Sequence, residues 1–170
     1  MGTRHNVVFM GYEHEYEDEK GNKKIANQLN FAKTKKVYKK CLKDCPKVYV
    51  HWDGYPSGAL PILKEFLNTE GARSRMHDPE YLSAYYISWK IIHDFGHTNL
   101  KQLDDFRSIG VETQLSTWAD YTYIIKPEAK SHNNNKFVIY VLDYNLKLIA
   151  KIERLDDIDT FEQEQPEWWY

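Results

Sequence analysis

Apolar residues along this chain recur with two periods, and the alternation between them predicts the order of elements. Residues 6–10 (NVVFM) form a short, mostly apolar run stopped by Gly11, the pattern of a buried strand. Residues 47–52 alternate Val48, Val50 and Trp52 against Tyr49 and His51, the period of a half-buried strand. Residues 121–125, 137–142 and 146–152 read as three more strands, the last two joined by a tight turn at Asp143, Tyr144 and Asn145, and the first two by a polar tip at 131–135.

Helical spacing appears between these strands. Phe31, Thr34, Tyr38, Cys41 and Cys45 place an amphipathic helix at 28–44, ended by Pro46. Leu60, Leu63, Phe66 and Leu67 give a second helix, closed near Gly71. Asp78 before Pro79 is an N-cap followed by proline at the first helical position. Behind it Leu82, Tyr85, Tyr86, Trp89 and Ile92 form an apolar stripe that Gly96 ends. Residues 100–109 suggest a further short helix ended by Gly110. The fold class is therefore α+β: a single domain over 1–170, with a mostly antiparallel sheet of about five strands and helices packed on one face.

Composition adds two features. Aromatic residues reach 15%, with 13 Tyr and 5 Trp, enough to fill a core and still leave rings for a flat ligand. Net charge is only −2, which argues against a protein that binds nucleic acid with its whole surface. Local charge is uneven. Glu13, Glu15, Glu17, Asp18 and Glu19 crowd together, with a loop or hairpin tip expected at 19–22, while 20–47 holds ten lysines against Asp44 alone. The tail at 153–170 is acidic and aromatic, ending in Pro166-Glu167-Trp168-Trp169-Tyr170. No run approaches the roughly 20 apolar residues of a membrane span, and no apolar signal core follows the first residues, so a cytoplasmic location is expected.

The densest chemistry lies in residues 48–58, VYVHWDGYPSG. His51 and Asp53 share a face if the strand continues through both, roughly 7 Å apart at Cα, and there they suit a general base with its orienting carboxylate or two metal ligands. The opposing reading makes Asp53 and Gly54 a turn, with Pro56 and Gly58 launching the next helix. Amides at that helix start would also suit a phosphate. Asp120 would complete a polar cluster if the sheet set it one strand from His51 and Asp53. Trp52 and Tyr55, with the guanidinium groups of Arg4, Arg73 and Arg75, are candidate ligand contacts. His93 and His97 are four apart and read either as two metal ligands or as cations at a helix C-terminus. Cys41 and Cys45, without histidines nearby in sequence, read as reduced core thiols.

The MGTR start, the HWDGYPSG block and Asp120-Tyr121-Thr122-Tyr123 together resemble a family of uncharacterised small proteins of phages, plasmids and bacteria. The likeness covers about half the chain in three blocks. It implies a shared fold and pocket but no settled activity. Against that pattern, 11–46 stands as a charged insertion, and its lysines at 35, 36, 39, 40 and 43 become candidates for contact with a host protein or protein–nucleic acid complex. The resemblance, the charged insertion and the absence of a complete catalytic set together favour a phage or mobile-element accessory protein that acts by binding: an inhibitor of a host defence component, of the anti-CRISPR kind, or a protein that sequesters a nucleotide-like ligand. The alternative is a small hydrolase of phosphodiesters or amides using His51, Asp53 and Asp120, with or without a metal.

Overall fold

The computed structural model describes residues 2–25, 39–96, 109–115, 118–129 and 136–170. Most of the helix expected at 28–44 lies outside these residues, as do Lys35, Lys36, His97, the tip at 131–135 and all but the end of the helix expected at 100–109. The described chain is an α+β fold on a mixed sheet of six strands: β1 (His5–Phe9), β4 (Lys47–Val50), β5 (Ile109–Glu112), β6 (Tyr121–Pro127), β7 (Phe137–Asp143) and β8 (Leu148–Ile152). Their order across the sheet is β5-β4-β1-β6-β7-β8, and β1 with β6 is the parallel pair among antiparallel ones.

The sixth strand corrects the expected five. Gly110 does not end a helix; it sits in β5 opposite Tyr49, with Val111 opposite Val48. Two further short strands, β2 (Glu15–Glu17) and β3 (Lys23–Ile25), form a separate hairpin inside the charged segment, and Gly21 at φ 79° makes its tip.

Alternation along the strands sorts side chains to two faces. Val7, Phe9, Val48, Val50, Tyr123, Ile125, Ile139 and Val141 join the core shared with the helices α1 (Pro56–Leu67), α2 (Glu70–Ser74), α3 (Pro79–Phe95) and α4 (Asp157–Glu164). Asp78 caps α3 as its sequence suggests, its side chain accepting from the Tyr81 amide at 2.9 Å, and Gly96 closes that helix at φ 66°. Gly71 does not close α1. It lies inside α2, where a Cβ would stand 2.5 Å from the Tyr85 ring. Ile92 leaves the predicted stripe and is 58% exposed.

The opposite face carries Val8, Met10, Ile124, Val138, Tyr140 and Leu142, and Cys41, Leu42 and Cys45 of the charged segment pack on it. The described parts of the charged segment therefore cover this face of the sheet, through Cys41, Leu42, Cys45 and the partly buried Tyr16. Glu17 stands opposite Lys23 in the hairpin register, and Lys40 Nζ donates to the Asp18 main-chain carbonyl. The tail is also more than a tail. α4 is tied to α1 by Lys64 Nζ, 2.6 Å from the Asp159 carboxylate, and left-handed Gln165 (φ 47°) with Pro166 turns the chain so that Trp169 enters the core at 1% exposure. Among the described residues no helix is long and apolar enough to cross a membrane.

Candidate functional site

The HWDGYPSG block is a strand-to-helix joint. β4 stops at Val50, and Asp53 takes a left-handed backbone (φ 56°) that aspartate tolerates, so His51 and Asp53 do not continue one strand face. Gly54 is pressed against β1: its amide donates to the Thr3 carbonyl at 3.0 Å, and a Cβ there would meet that oxygen at 2.7 Å. Its carbonyl accepts from the buried Tyr123 hydroxyl at 2.8 Å. Tyr55 then precedes α1 with no side-chain cap, Pro56 has no amide to satisfy, and Gly58 and Ala59 donate to the Tyr55 carbonyl. Ser57, the remaining first-turn amide, donates to the Trp169 carbonyl at 2.9 Å. That helix start is filled by the chain itself, which removes the phosphate expected there.

The structure separates several residues that the sequence grouped. β1 stands between β4 and β6, so the strand end that leads to His51 and the strand start that follows Asp120 lie on opposite sides of β1, their backbones about two strand spacings or ~10 Å apart. Asp120 binds Arg4 reciprocally: its carboxylate accepts from the Arg4 amide at 3.0 Å and its own amide donates to the Arg4 carbonyl at 2.8 Å. His51 Nδ1 lies 3.2 Å from the Tyr49 hydroxyl, and its ring meets Trp52 edge-on at 4.6 Å. Burial raises the Tyr49 phenol above its ordinary range, with Glu112 and Asp120 adding to the rise and Arg4 opposing it. Trp52, on the Val48–Val50 side of the predicted alternation, is 50% exposed and lies over Gly2, where a Cβ would strike its ring.

Arg73 and Arg75 are used locally, beyond the far end of α1. Arg73 donates to the Asn68 side chain at 2.8 Å, and Arg75 stacks on Tyr81 at 4.3 Å. His93 stands in the last turn of α3, 3.0 Å from the Asp94 carboxylate and stacked on Trp89 at 4.8 Å. Cys41 and Cys45 are buried free thiols, pushed up to about 12 chiefly by burial. His14, distant in sequence, comes to them: Nε2 is 2.6 Å from the Cys41 carbonyl and 3.5 Å from Cys45 Sγ. Among the described residues no group of three or more His, Cys, Asp or Glu is placed to hold a metal ion.

A cavity of about 580 Å³ opens where β1 and β6 begin and β7 ends. Arg4, Asp120 and Tyr55 line it, which brings together three of the residues singled out in the sequence; His51, Trp52, Asp53, Arg73 and Arg75 do not line it. Tyr121 opens β6 there, its ring 6.1 Å from that of Tyr55. Trp118 lies just before that strand, Asp143 and Tyr144 come from the β7–β8 turn, and Glu167, Trp168 and Tyr170 come from the tail. The Asp143 carboxylate holds its own turn by accepting from the Asn145 and Lys147 amides.

Burial raises the Tyr121 phenol, and Tyr55, Asp120 and Asp143 nearby raise it further, so it stays protonated at neutral pH. The tail was visible in the sequence as a run of aromatics, but nothing local to it announces that it folds back beside Gly2 and Thr3. Comparison with protein-family models, with curated proteins and with solved structures found no match for this chain.

Proposed function

We propose that this protein acts by binding, with the cavity between the sheet end and the C-terminal tail as its ligand site. The observation that carries this reading is the convergence there of four exposed aromatic residues from four separate segments: Tyr55 at 47%, Trp118 at 73%, Tyr144 at 69% and Tyr170 at 63% exposure. Exposed large rings gathered around one concavity are costly in water unless something covers them. The resemblance to phage and plasmid proteins makes a host component the expected macromolecular partner, and Lys39, Lys40 and Lys43 are exposed on the covering layer, in position for such a contact.

The hydrolase is the second reading, favoured by Asp120 lining the cavity. Separation of His51 and Asp53 from that lining counts against the three acting on one substrate. Amide spectra of the full chain, recorded against a panel of small anions, cations and neutral aromatics, test the choice. Saturable shifts confined to the cavity lining, unchanged in the His51→Ala/Asp53→Ala protein, are expected. Turnover of a phosphodiester or amide by the wild type that this double variant abolishes would overturn the binding reading.

A further inference from the structure

The charge of the lining selects the class of ligand. The charged residues that line the cavity are one arginine, Arg4, and three acids, Asp120, Asp143 and Glu167. Asp120 and Arg4 already satisfy each other's main chain, and Asp143 spends one oxygen on its turn, but neither arrangement removes a negative charge. Around this net charge of about −2 stand aromatic rings, whose faces are negative. Tyr121 reports the same field, since Asp120 and Asp143 both act to keep its proton on. A phosphate would meet this field as repulsion. A cation with an apolar skin loses little hydration on entering, gains the ring quadrupoles and is balanced by the carboxylates.

From this, resting on the cavity as the binding site, we propose that its ligand is an organic cation, an alkylated ammonium or a guanidinium. The same head group occurs on a free amine and on a modified side chain of a peptide, and both fit an open cavity. Indole and amide spectra of the full chain, titrated with choline, agmatine, a trimethyl-lysine peptide and adenosine monophosphate at constant ionic strength, test this.

Choline or agmatine is expected to shift the Trp118 and Trp168 indole signals saturably, while the nucleotide leaves them unmoved. Affinity should fall about two- to fivefold in Glu167→Gln and in Trp118→Ala, both at exposed or partly exposed positions that leave the fold intact. Tighter binding of the peptide than of choline would assign the head group to a protein partner, and the reverse order to a free amine; either supports the proposal. Shifts by the nucleotide or by neutral aromatics, with silence from every cation, overturn the cation assignment and leave the cavity reading standing. Silence of the lining to every class of probe overturns both.

Discussion

Burying a neutral imidazole ties the stability of this domain to pH at a single residue. His5 is 2% exposed in β1, its ring edge-on to Tyr123 at 5.4 Å, and Nδ1 has no hydrogen-bond partner among the described residues. Burial, with Lys90 nearby adding to it, lowers its pKa to about 3 from the ordinary 6.5. Lys90 is itself buried and paired with Asp94 at 2.6 Å. Between those two pH values the unfolded chain binds the proton and the folded chain refuses it. The contribution is therefore intact above about pH 6.5 and is lost as pH falls toward 3, by about 2 kcal/mol between pH 7 and pH 5. His5→Leu, close in volume, should flatten that part of the profile. Urea midpoints of the two proteins at pH 7 and pH 5 check this; parallel lines would rule it out.

At the scale of elements, the C-terminal segment supplies what α1 cannot make for itself. Tyr55 offers no capping oxygen, so the Ser57 amide uses the Trp169 carbonyl, and the Trp169 indole fills the core beside the helices. Trp169→Ala should cost about 3–5 kcal/mol, the range for emptying a large buried ring, while Tyr170→Ala, at 63% exposure, should change stability by less than about 0.5 kcal/mol. Denaturant titration of both proteins measures the difference, and equal small losses would show that the tail is merely laid on the surface.

These long-range roles were the illegible part of the sequence. Strands with clean alternation, such as 47–50, and the Asp78-Pro79 helix start were readable because their signals are local. α4 was not, because Ile158 and Phe161 are its only large apolar residues and acids dominate the rest. β5 was missed because its four residues include Gly110 and a Val111 that is 75% exposed at the sheet edge. In the site, Arg4, Tyr55 and Asp120 could be named, but Arg4 and Asp120 lie 116 residues apart, and no spacing rule connects them to the tail.

For the whole molecule, both faces of the sheet carry packed apolar side chains, and the second face meets the described parts of the segment that reads in sequence as an insertion. The proposed partner role and the structural role make opposite demands on the same experiment. If 11–46 were an appendage, deleting residues 13–43 would leave a folded domain that has lost only a contact. The packing says otherwise. Cys41 and Leu42 are fully buried against the face that holds Val8, Met10, Ile124, Val138, Tyr140 and Leu142. Uncovering large side chains costs about 1.5 kcal/mol or more for each, and several together rival the roughly 5–15 kcal/mol that holds a domain folded. The deletion is therefore expected to give a chain that binds a hydrophobic dye and loses cooperative unfolding, whatever it does to a partner. Reversing charge at Lys39, Lys40 and Lys43 avoids that loss, because these residues are exposed and surface pairs contribute about 1 kcal/mol or less. A charge-reversed protein that melts like the wild type yet no longer associates with its partner would separate contact from cover, and a deletion that still unfolds in one sharp transition would show that the second layer is dispensable.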